Sequence, residues 1–279
     1  MRVAITGASG LLGSALSAAL EDDGCEVVGV PRGDTASLAG AYAVVHLAGE
    51  PIGQRWNEER KREIRRSRDE GTRTVAEALA RLETPPAVLV SASAVGIYGS
   101  RGDEILTEES THGADFLAEV CERWEAACDP ARTAGVRVVN ARFGVVLEAI
   151  LPRLLTPFRL GLGGRVGSGK QWLSWIGCDD LVAAVRHALH DRSLIGPINV
   201  CAPEPVTNAM LTKTLGRVLE RPTVFPLPTV LASAVFGEMG RSTLLASQRA
   251  LPSRLLASGF AFAEPSLEGA LRHSLARTS

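Results

Sequence analysis

The sequence predicts an α/β fold, a doubly wound parallel sheet in the first half followed by a smaller C-terminal cap. Short runs of Val, Ile and Leu alternate with helical stretches, and these runs are apolar throughout rather than at every second residue. Past about residue 150 the alternation gives way to closely spaced glycines, Gly161, Gly163, Gly164, Gly167 and Gly169. Continuous apolar strands separated by helices belong to a parallel sheet covered on both faces.

Val3, Ala4 and Ile5 form the first strand, and residues 11–20 the first helix. Residues 26–30 and 43–47 are the next two strands, joined by only residues 31–42, a connection with room for barely two helical turns. Residues 57–82 read as one long helix, capped by Asn57 and carrying Glu58 and Glu59 in its first turn. A fourth strand at 87–91, a helix at 116–129 ended by Pro130 and a fifth strand at 136–141 follow. Residues 179–190 and 207–219 are two further helices, the second with Thr207 as its cap, and a strand surrounds 198–200. The expected organisation is a dinucleotide-binding domain over 1–150, rejoined by 179–201, with 151–178 and 202–279 forming a substrate-binding cap.

Composition narrows the function classes. A chain of 279 residues can bury a full core, and 46% hydrophobic with 22% charged residues argues against disorder. The formal net charge of -1 gives no global attraction to nucleic acid or acidic lipid, so an anionic ligand has to be held by a local site. Cys25, Cys121, Cys128, Cys178 and Cys201 form no CxxC pair and read as reduced, mostly packed thiols of a cytosolic protein. His46, His187 and His190 lack metal-ligand spacing, so no metal site is expected. Met1 and Arg2 lead straight into a strand with no room for a signal peptide, and the apolar stretch 227–237 is too short for a bilayer. The expectation is a cytoplasmic protein with neither membrane nor nucleic acid as partner.

Thr6-Gly7-Ala8-Ser9-Gly10-Leu11-Leu12-Gly13 lies between a strand and a helix at the start of the chain. In that context Gly7 permits a tight turn, Gly10 lets main chain approach a pyrophosphate, and Gly13 lets the helix pack closely on the sheet. Ser9, Leu11 and Leu12 complete the turn. These are the marks of the Rossmann type. Proteins that bind NAD place a carboxylate at the end of the second strand, on the ribose hydroxyls; this chain reads Val30-Pro31-Arg32-Gly33-Asp34 there. Arg32 suits a 2′-phosphate. The expected cofactor is therefore NADP(H), with NAD the less favoured.

Together these motifs resemble the extended short-chain dehydrogenase/reductase superfamily. His46-Leu47-Ala48-Gly49 is similar to the motif that passes beneath the adenosine, and Gly71-Thr72 to a recurrent pair in the next helix. The run from Ser91 to Gly99 (Ser-Ala-Ser-Ala-Val-Gly-Ile-Tyr-Gly) resembles the strand end that carries the superfamily's serine. Longer stretches, Gly49-Glu50-Pro51-Ile52, Arg55-Trp56, Ser67-Arg68, the run from Gly167 to Ile176, and Phe236-Gly237-Glu238-Met239, resemble the bacterial "epimerase family" of NADP-binding oxidoreductases, NAD-dependent epimerase/dehydratase-like proteins sometimes labelled cell-division-inhibitor-like. Arg142-Phe143-Gly144 fits the same subgroup. The resemblance implies cofactor contacts from Leu47, Ala48, Gly49 and Arg142, a catalytic role for Ser93, and by analogy a homodimer through paired helices.

The chain also departs from the pattern. The superfamily's tyrosine with a lysine four residues later is absent: four residues after Tyr42 stands His46, and four after Tyr98 stands Gly102. Where the pair belongs the chain reads Asp115-Phe116-Leu117-Ala118-Glu119-Val120. Gly177 stands where the subgroup has His, and the segments 34–39 and 147–150 are short against their counterparts.

Chemistry must then be reassigned. Ser93, at a strand's C-terminal end, is either the reacting hydroxyl or a partner for local backbone. Tyr98 either supplies a phenol from the following loop or packs as a loop aromatic. Glu50 either faces the nicotinamide as base or orienter, or pairs with Arg55. Arg55, Trp56 and Lys61 form an edge suited to an anionic substrate. Trp172 and Trp175 with Gln171 line a pocket or anchor the core. Six basic residues between Arg60 and Arg68 read as a solvated helix face, partly paired with Glu58, Glu59 and Glu63, rather than a nucleic-acid surface. Two readings remain: an NADP(H)-dependent oxidoreductase or sugar-nucleotide-epimerase-like enzyme acting on a small molecule, and a non-catalytic NADP(H)-sensing regulator or partner protein.

Overall fold

The computed structural model describes residues 1–277, the side chain of Val235 excepted. Six parallel strands build the central sheet: β1 (Arg2–Thr6), β2 (Glu26–Val30), β3 (Ala43–His46), β4 (Val88–Ala94), β5 (Arg137–Phe143) and β6 (Gly196–Val200). Their spatial order is β6-β5-β4-β3-β1-β2, with every neighbouring pair parallel. Side chains of successive strand residues point to opposite faces. Val3, Ile5, Val45 and Val90 therefore bury against α1 (Leu11–Asp22) and α6 (Cys178–His190), through Leu16, Leu20, Leu181 and Val185. Ala4, Val44, Leu89 and Val138 face the other way, against Val75, Ala76 and Leu79 of α2 (Glu58–Ala80). The expected two-faced parallel sheet is present.

Strand β1 sits between β2 and β3, so the chain leaves β1 first to one side and then to the other. Such a switch point opens a crevice at the strands' C-terminal ends. The short connection 31–42 holds one 3-10 turn, Ala36–Leu38, and no strand, so β2 is the sheet edge.

Three local expectations change. Pro130 does not end a helix: α3 (Phe116–Ala126) stops before it, and Pro130 lies in the first turn of α4 (Asp129–Thr133), where a missing N–H costs nothing. Strands β4 and β5 run on to Ala94 and Phe143, which places Ser93 and Arg142 inside paired strands as register partners. The region past residue 147 is not irregular at first. It opens with α5 (Leu147–Arg159), which tolerates Pro152 and Pro157 because Leu147, Leu151, Leu155 and Phe158 form one buried stripe.

That stripe packs with Leu211 and Leu215 of α7 (Asn208–Val218) and Leu271 of α10 (Leu267–Ala276) into a second core, the cap. Helix α8 (Thr229–Thr243) is broken at Gly237, whose φ of 61° and ψ of -141° leave the helical region. One part of the segmentation needs correcting. Helix α9 (Ser253–Ala257) buries Leu255 in the sheet's own core, with Phe260 and Phe262 beside it, so 253–262 returns to the sheet although it falls in the stretch read as cap.

Candidate active site

The glycine turn begins where β1 ends. Gly7 has a φ of +73°, and a Cβ there would stand 3.0 Å from the Ala48 nitrogen. A Cβ on Gly13 would stand 2.1 Å from the Gly7 carbonyl oxygen, so only glycine lets α1 lie against the turn. Gly10 donates its N–H to the Gly7 carbonyl at 3.1 Å and is the N-cap of α1 in extended conformation. No side chain caps this helix, and no acidic residue stands in its first turn. Its first N–H groups and positive dipole end are open to an anion. Ser9 and Leu11 are exposed at the turn, while Leu12 packs partly on the core.

Leu47, Ala48 and Gly49 leave β3 alongside this turn. Leu47 N–H donates to the Thr6 carbonyl at 3.1 Å, and Ala48 N–H reaches Thr6 Oγ1 at 3.4 Å. Beneath them His46 is buried, with Nδ1 2.7 Å from Thr6 Oγ1 and Nε2 2.9 Å from Thr72 Oγ1. Burial pulls its pKa down to about 4, so the ring is neutral and ties β1, β3 and α2 together.

Arg32 stands just past β2 with its side chain 81% exposed, and its guanidinium donates to Glu50 Oε1 at 2.9 Å. Glu50 is held from several sides. Its N–H donates to Ser67 Oγ at 3.1 Å, its carbonyl accepts from Arg68 at 3.0 Å, and Oε2 lies 3.4 Å from Arg60. The hydrogen bond from Arg32 is the main cause holding its carboxyl below the ordinary range. The expected partner Arg55 is not the one used: Arg55 is exposed and lies beside Gly237.

Ser93, Tyr98 and Arg142 meet in a different place, under the C-terminal ends of β4 and β5. Ser93 Oγ donates to Glu125 Oε1 at 2.7 Å. Arg142 grips Glu125 with both arms, Nε to Oε1 at 2.8 Å and NH2 to Oε2 at 2.9 Å, and donates to the Tyr98 oxygen at 2.9 Å. Tyr98 in turn donates to Asn199 Oδ1 at 2.7 Å. Burial pushes its phenol up to about 12, against the pull of Arg142. Burial would lower the Arg142 pKa, but the Glu125 carboxylate outweighs it and holds the guanidinium above its usual value. Ser93, Tyr98 and Arg142 all lie at 2% exposure or less.

The geometry thus separates residues that the sequence grouped. Tyr98 is a packed phenol, not a loop group aimed at substrate. Arg142 points into the protein, toward Glu125, rather than along the cleft. Glu50 lies at the Arg32 end of the crevice. Glu125 and Asn199 were missed altogether; no local pattern marks them, since Tyr98 and Asn199 are 101 positions apart.

At the first turn of α3, where the tyrosine-lysine pair would fall, Phe116 meets Trp56 edge-on, with ring centroids 5.0 Å apart. Phe236 and Met239 of α8 join the same apolar cluster. Lys61 of α2 pairs with Glu238 of α8 at 2.5 Å. Trp175 is a fully buried core anchor whose Nε1 donates to the Glu204 carbonyl. Trp172 is stacked by the Arg249 guanidinium at 4.2 Å and donates to Asp103. Gln171 Nε2 donates to the Val166 and Leu244 carbonyls, and Gly177 is the N-cap of α6. Three of the six basic residues of this stretch of α2 pair with carboxylates, Arg60 with Glu63, Lys61 with Glu58 and Arg65 with Glu119, and Arg62 and Arg68 donate to backbone carbonyls. Among the described residues no group of three His, Cys, Asp or Glu is placed to hold a metal ion, and no helix is long and apolar enough to cross a membrane.

A parallel sheet with a glycine turn at its switch point, an uncapped helix N-terminus above it and an arginine past the second strand defines a dinucleotide-binding α/β protein. More narrowly, the chain belongs to the NAD dependent epimerase/dehydratase family, which it matches over residues 3–201. Residues 227–274 match a domain of unknown function, DUF1731. The sequence is 40% identical to an epimerase family protein of Mycobacterium bovis, over 99% of this chain and 98% of that one. It is 37% identical to the human epimerase family protein SDR39U1, over 99% of this chain and all of the human one. The crystal structure of human SDR39U1 (isoform 2) with NADPH superposes with a TM-score of 0.90 at 35% identity, covering 98% of each chain. A nucleoside-diphosphate sugar epimerase from Corynebacterium glutamicum superposes with a TM-score of 0.81 at 41% identity, covering 99% of this chain and 58% of that one.

Proposed function

We propose that this protein binds NADP(H) across the switch-point crevice and uses it in oxidoreductase or epimerase chemistry on a small molecule. The observation that carries the reading is the cradle at α1: a left-handed glycine at Gly7, a position at Gly13 that admits no Cβ, and a helix N-terminus that no side chain caps. A diphosphate fits there because main-chain N–H groups and the helix dipole meet it without any side chain in between. The NADPH held by human SDR39U1 supports the same assignment, as does the exposed Arg32 past β2. The bound dinucleotide supplies or accepts a hydride. Main chain around Gly10 at the start of α1 would hold its phosphates, with Gly7 and Gly13 keeping the turn and helix in place, while Leu47, Ala48 and Gly49 border it and Arg32 takes the 2′-phosphate.

Proton handling falls to residues other than a tyrosine-lysine pair. Ser93 is the preferred group, because its oxygen keeps lone pairs free and would take a proton from substrate as its own passes to the Glu125 carboxylate. Tyr98 serves the Arg142–Asn199 link instead. The apolar bed of Trp56, Phe116, Phe236 and Met239 with Arg55 beside it suits a small anionic substrate with an apolar body. A second reading, a cofactor-sensing protein without turnover, is favoured by the burial of Ser93 and Tyr98.

Calorimetry on the purified protein tests the first step, with NADPH binding expected. Hydride exchange over a panel of carbonyls and alcohols, compared between wild type and Ser93→Ala, tests the second. Binding without exchange on any substrate would overturn the enzyme reading in favour of the sensor. Exchange that survives Ser93→Ala would remove Ser93 from the chemistry.

A further inference from the structure

Glu50 has no part in the reaction as described, yet both its main chain and its carboxylate are held at the Arg32 end of the crevice. Its N–H and carbonyl are both held by side chains of α2, Ser67 and Arg68. Its carboxylate lies between two arginines of unequal freedom. Arg60 is 17% exposed and anchored by Glu63 at 2.7 Å and by the Pro51 carbonyl at 2.7 Å. Arg32 is 81% exposed, and Glu50 is the only carboxylate it pairs with among the described residues. One partner is fixed and the other is free to leave.

Position gives this asymmetry a meaning. Arg32 follows β2 and Glu50 follows β3, the two strands that flank β1. Neighbouring strands lie about 4.8 Å apart, so the pair spans roughly 10 Å across the end of β1, beside the glycine turn. With the diphosphate on α1, the adenosine ribose belongs on the β2 side of that turn. Val30 is followed by Pro31 and Arg32 rather than by the carboxylate that reads ribose hydroxyls in NAD-binding sheets, and the carboxylate next along, Asp34, accepts from the Ala36 and Ser37 N–H groups and the Ser37 hydroxyl. Glu50 brings a carboxylate to that place from the neighbouring strand.

We propose that Glu50 and Arg32 together read the adenosine ribose, Glu50 accepting from its hydroxyls and Arg32 binding the 2′-phosphate, so that Glu50 sets the preference between NAD(H) and NADP(H). The proposal rests on the cofactor reading above. When NADP(H) enters, Arg32 turns from Glu50 to the phosphate, and Arg60 keeps the carboxylate in place. The retained negative charge repels the phosphate, which moderates the preference that Arg32 creates. When NAD(H) enters, no phosphate competes, Arg32 stays on Glu50, and the free lone pairs of the carboxylate meet the ribose hydroxyls. Exposed ion pairs are weak, so exchanging one partner for another is accessible at modest cost.

The test is the ratio of Kd values for NADH and NADPH, measured by calorimetry on wild type and Glu50→Gln at fixed ionic strength. Glutamine keeps the shape and removes the charge, so the ratio is expected to move toward NADPH by about five-fold, the scale of one exposed charge pair. A merely structural loss would weaken both dinucleotides alike and leave the ratio where it was. An unchanged ratio, or one moving toward NADH, overturns the role given to Glu50 while the cofactor reading stands. A wild-type protein that binds neither dinucleotide overturns both.

Discussion

The two ends of the crevice treat polar groups in opposite ways. At the β1–β2 end the chain leaves donors open: the first N–H groups of α1 have no cap, and Arg32 stands in solvent with one weak partner. At the β4–β5 end the chain satisfies itself. Ser93, Glu125, Arg142, Tyr98 and Asn199 exchange hydrogen bonds among themselves, and Ser93, Tyr98, Arg142 and Asn199 are almost entirely out of water. Open donors at a glycine cradle call for a ligand from outside, whereas the closed network holds its members on one another and leaves only the lone pairs of the Ser93 oxygen to meet one. Burial of an ionised pair is tolerated only when each partner keeps the other, which ranks the consequences of breaking each end.

The largest effect is expected at the closed end. Arg142→Met leaves the half-buried Glu125 without its counter-charge and should cost about 3 kcal/mol of stability, read from urea unfolding. A loss under about 1 kcal/mol would mean that water or another cation already serves Glu125, and the contrast between the ends would weaken.

Next comes the pH dependence set by His46. Its pKa is about 4 in the folded protein and 6.5 when exposed, so the unfolded chain binds the extra proton between those values. Stability should therefore be complete above pH 6.5 and fall by roughly 3 kcal/mol as the pH drops toward 4. His46→Gln should remove that part of the slope. An unchanged pH profile in the variant would show that other groups carry the acid sensitivity.

A smaller stability effect is expected at the open end. Gly13→Ala drives a methyl into the Gly7 carbonyl, and the shift of α1 that follows should cost about 1–3 kcal/mol. Dinucleotide binding should suffer more than stability, and full retention of binding would move the phosphates away from α1. Smallest for stability is Arg32→Ala, within about 0.5 kcal/mol by thermal unfolding, because the side chain is exposed. Its NADPH affinity should nevertheless drop by at least about ten-fold, the scale of a charge-assisted hydrogen bond, with NADH little changed. Equal loss for both cofactors would take Arg32 off the 2′-phosphate.

The open end was readable in the sequence and the closed end was not. Gly7, Gly10 and Gly13 answer requirements of backbone shape within eight residues, so their spacing carries the information locally. The boundaries of β1 and β2 and the Asn57 cap of α2, whose side chain accepts from Arg60 N–H at 2.7 Å, follow from equally local rules. Helix α5 was hidden by its two prolines, because one amphipathic stripe on a second core outweighs the hydrogen bonds they remove. The partners of Arg32 and Ser93 were hidden for a different reason. Glu50 and Glu125 reach them only through the order of strands in the sheet and the helices laid over it.

The sequence by itself determined the parallel sheet, the glycine cradle, the arginine past β2 and the absence of a tyrosine-lysine pair, since each depends on neighbours a few positions away. Only the tertiary structure decided which polar groups are left for a ligand and which are spent on one another. Desolvation is a property of everything packed around a side chain, and no stretch of chain carries that on its own.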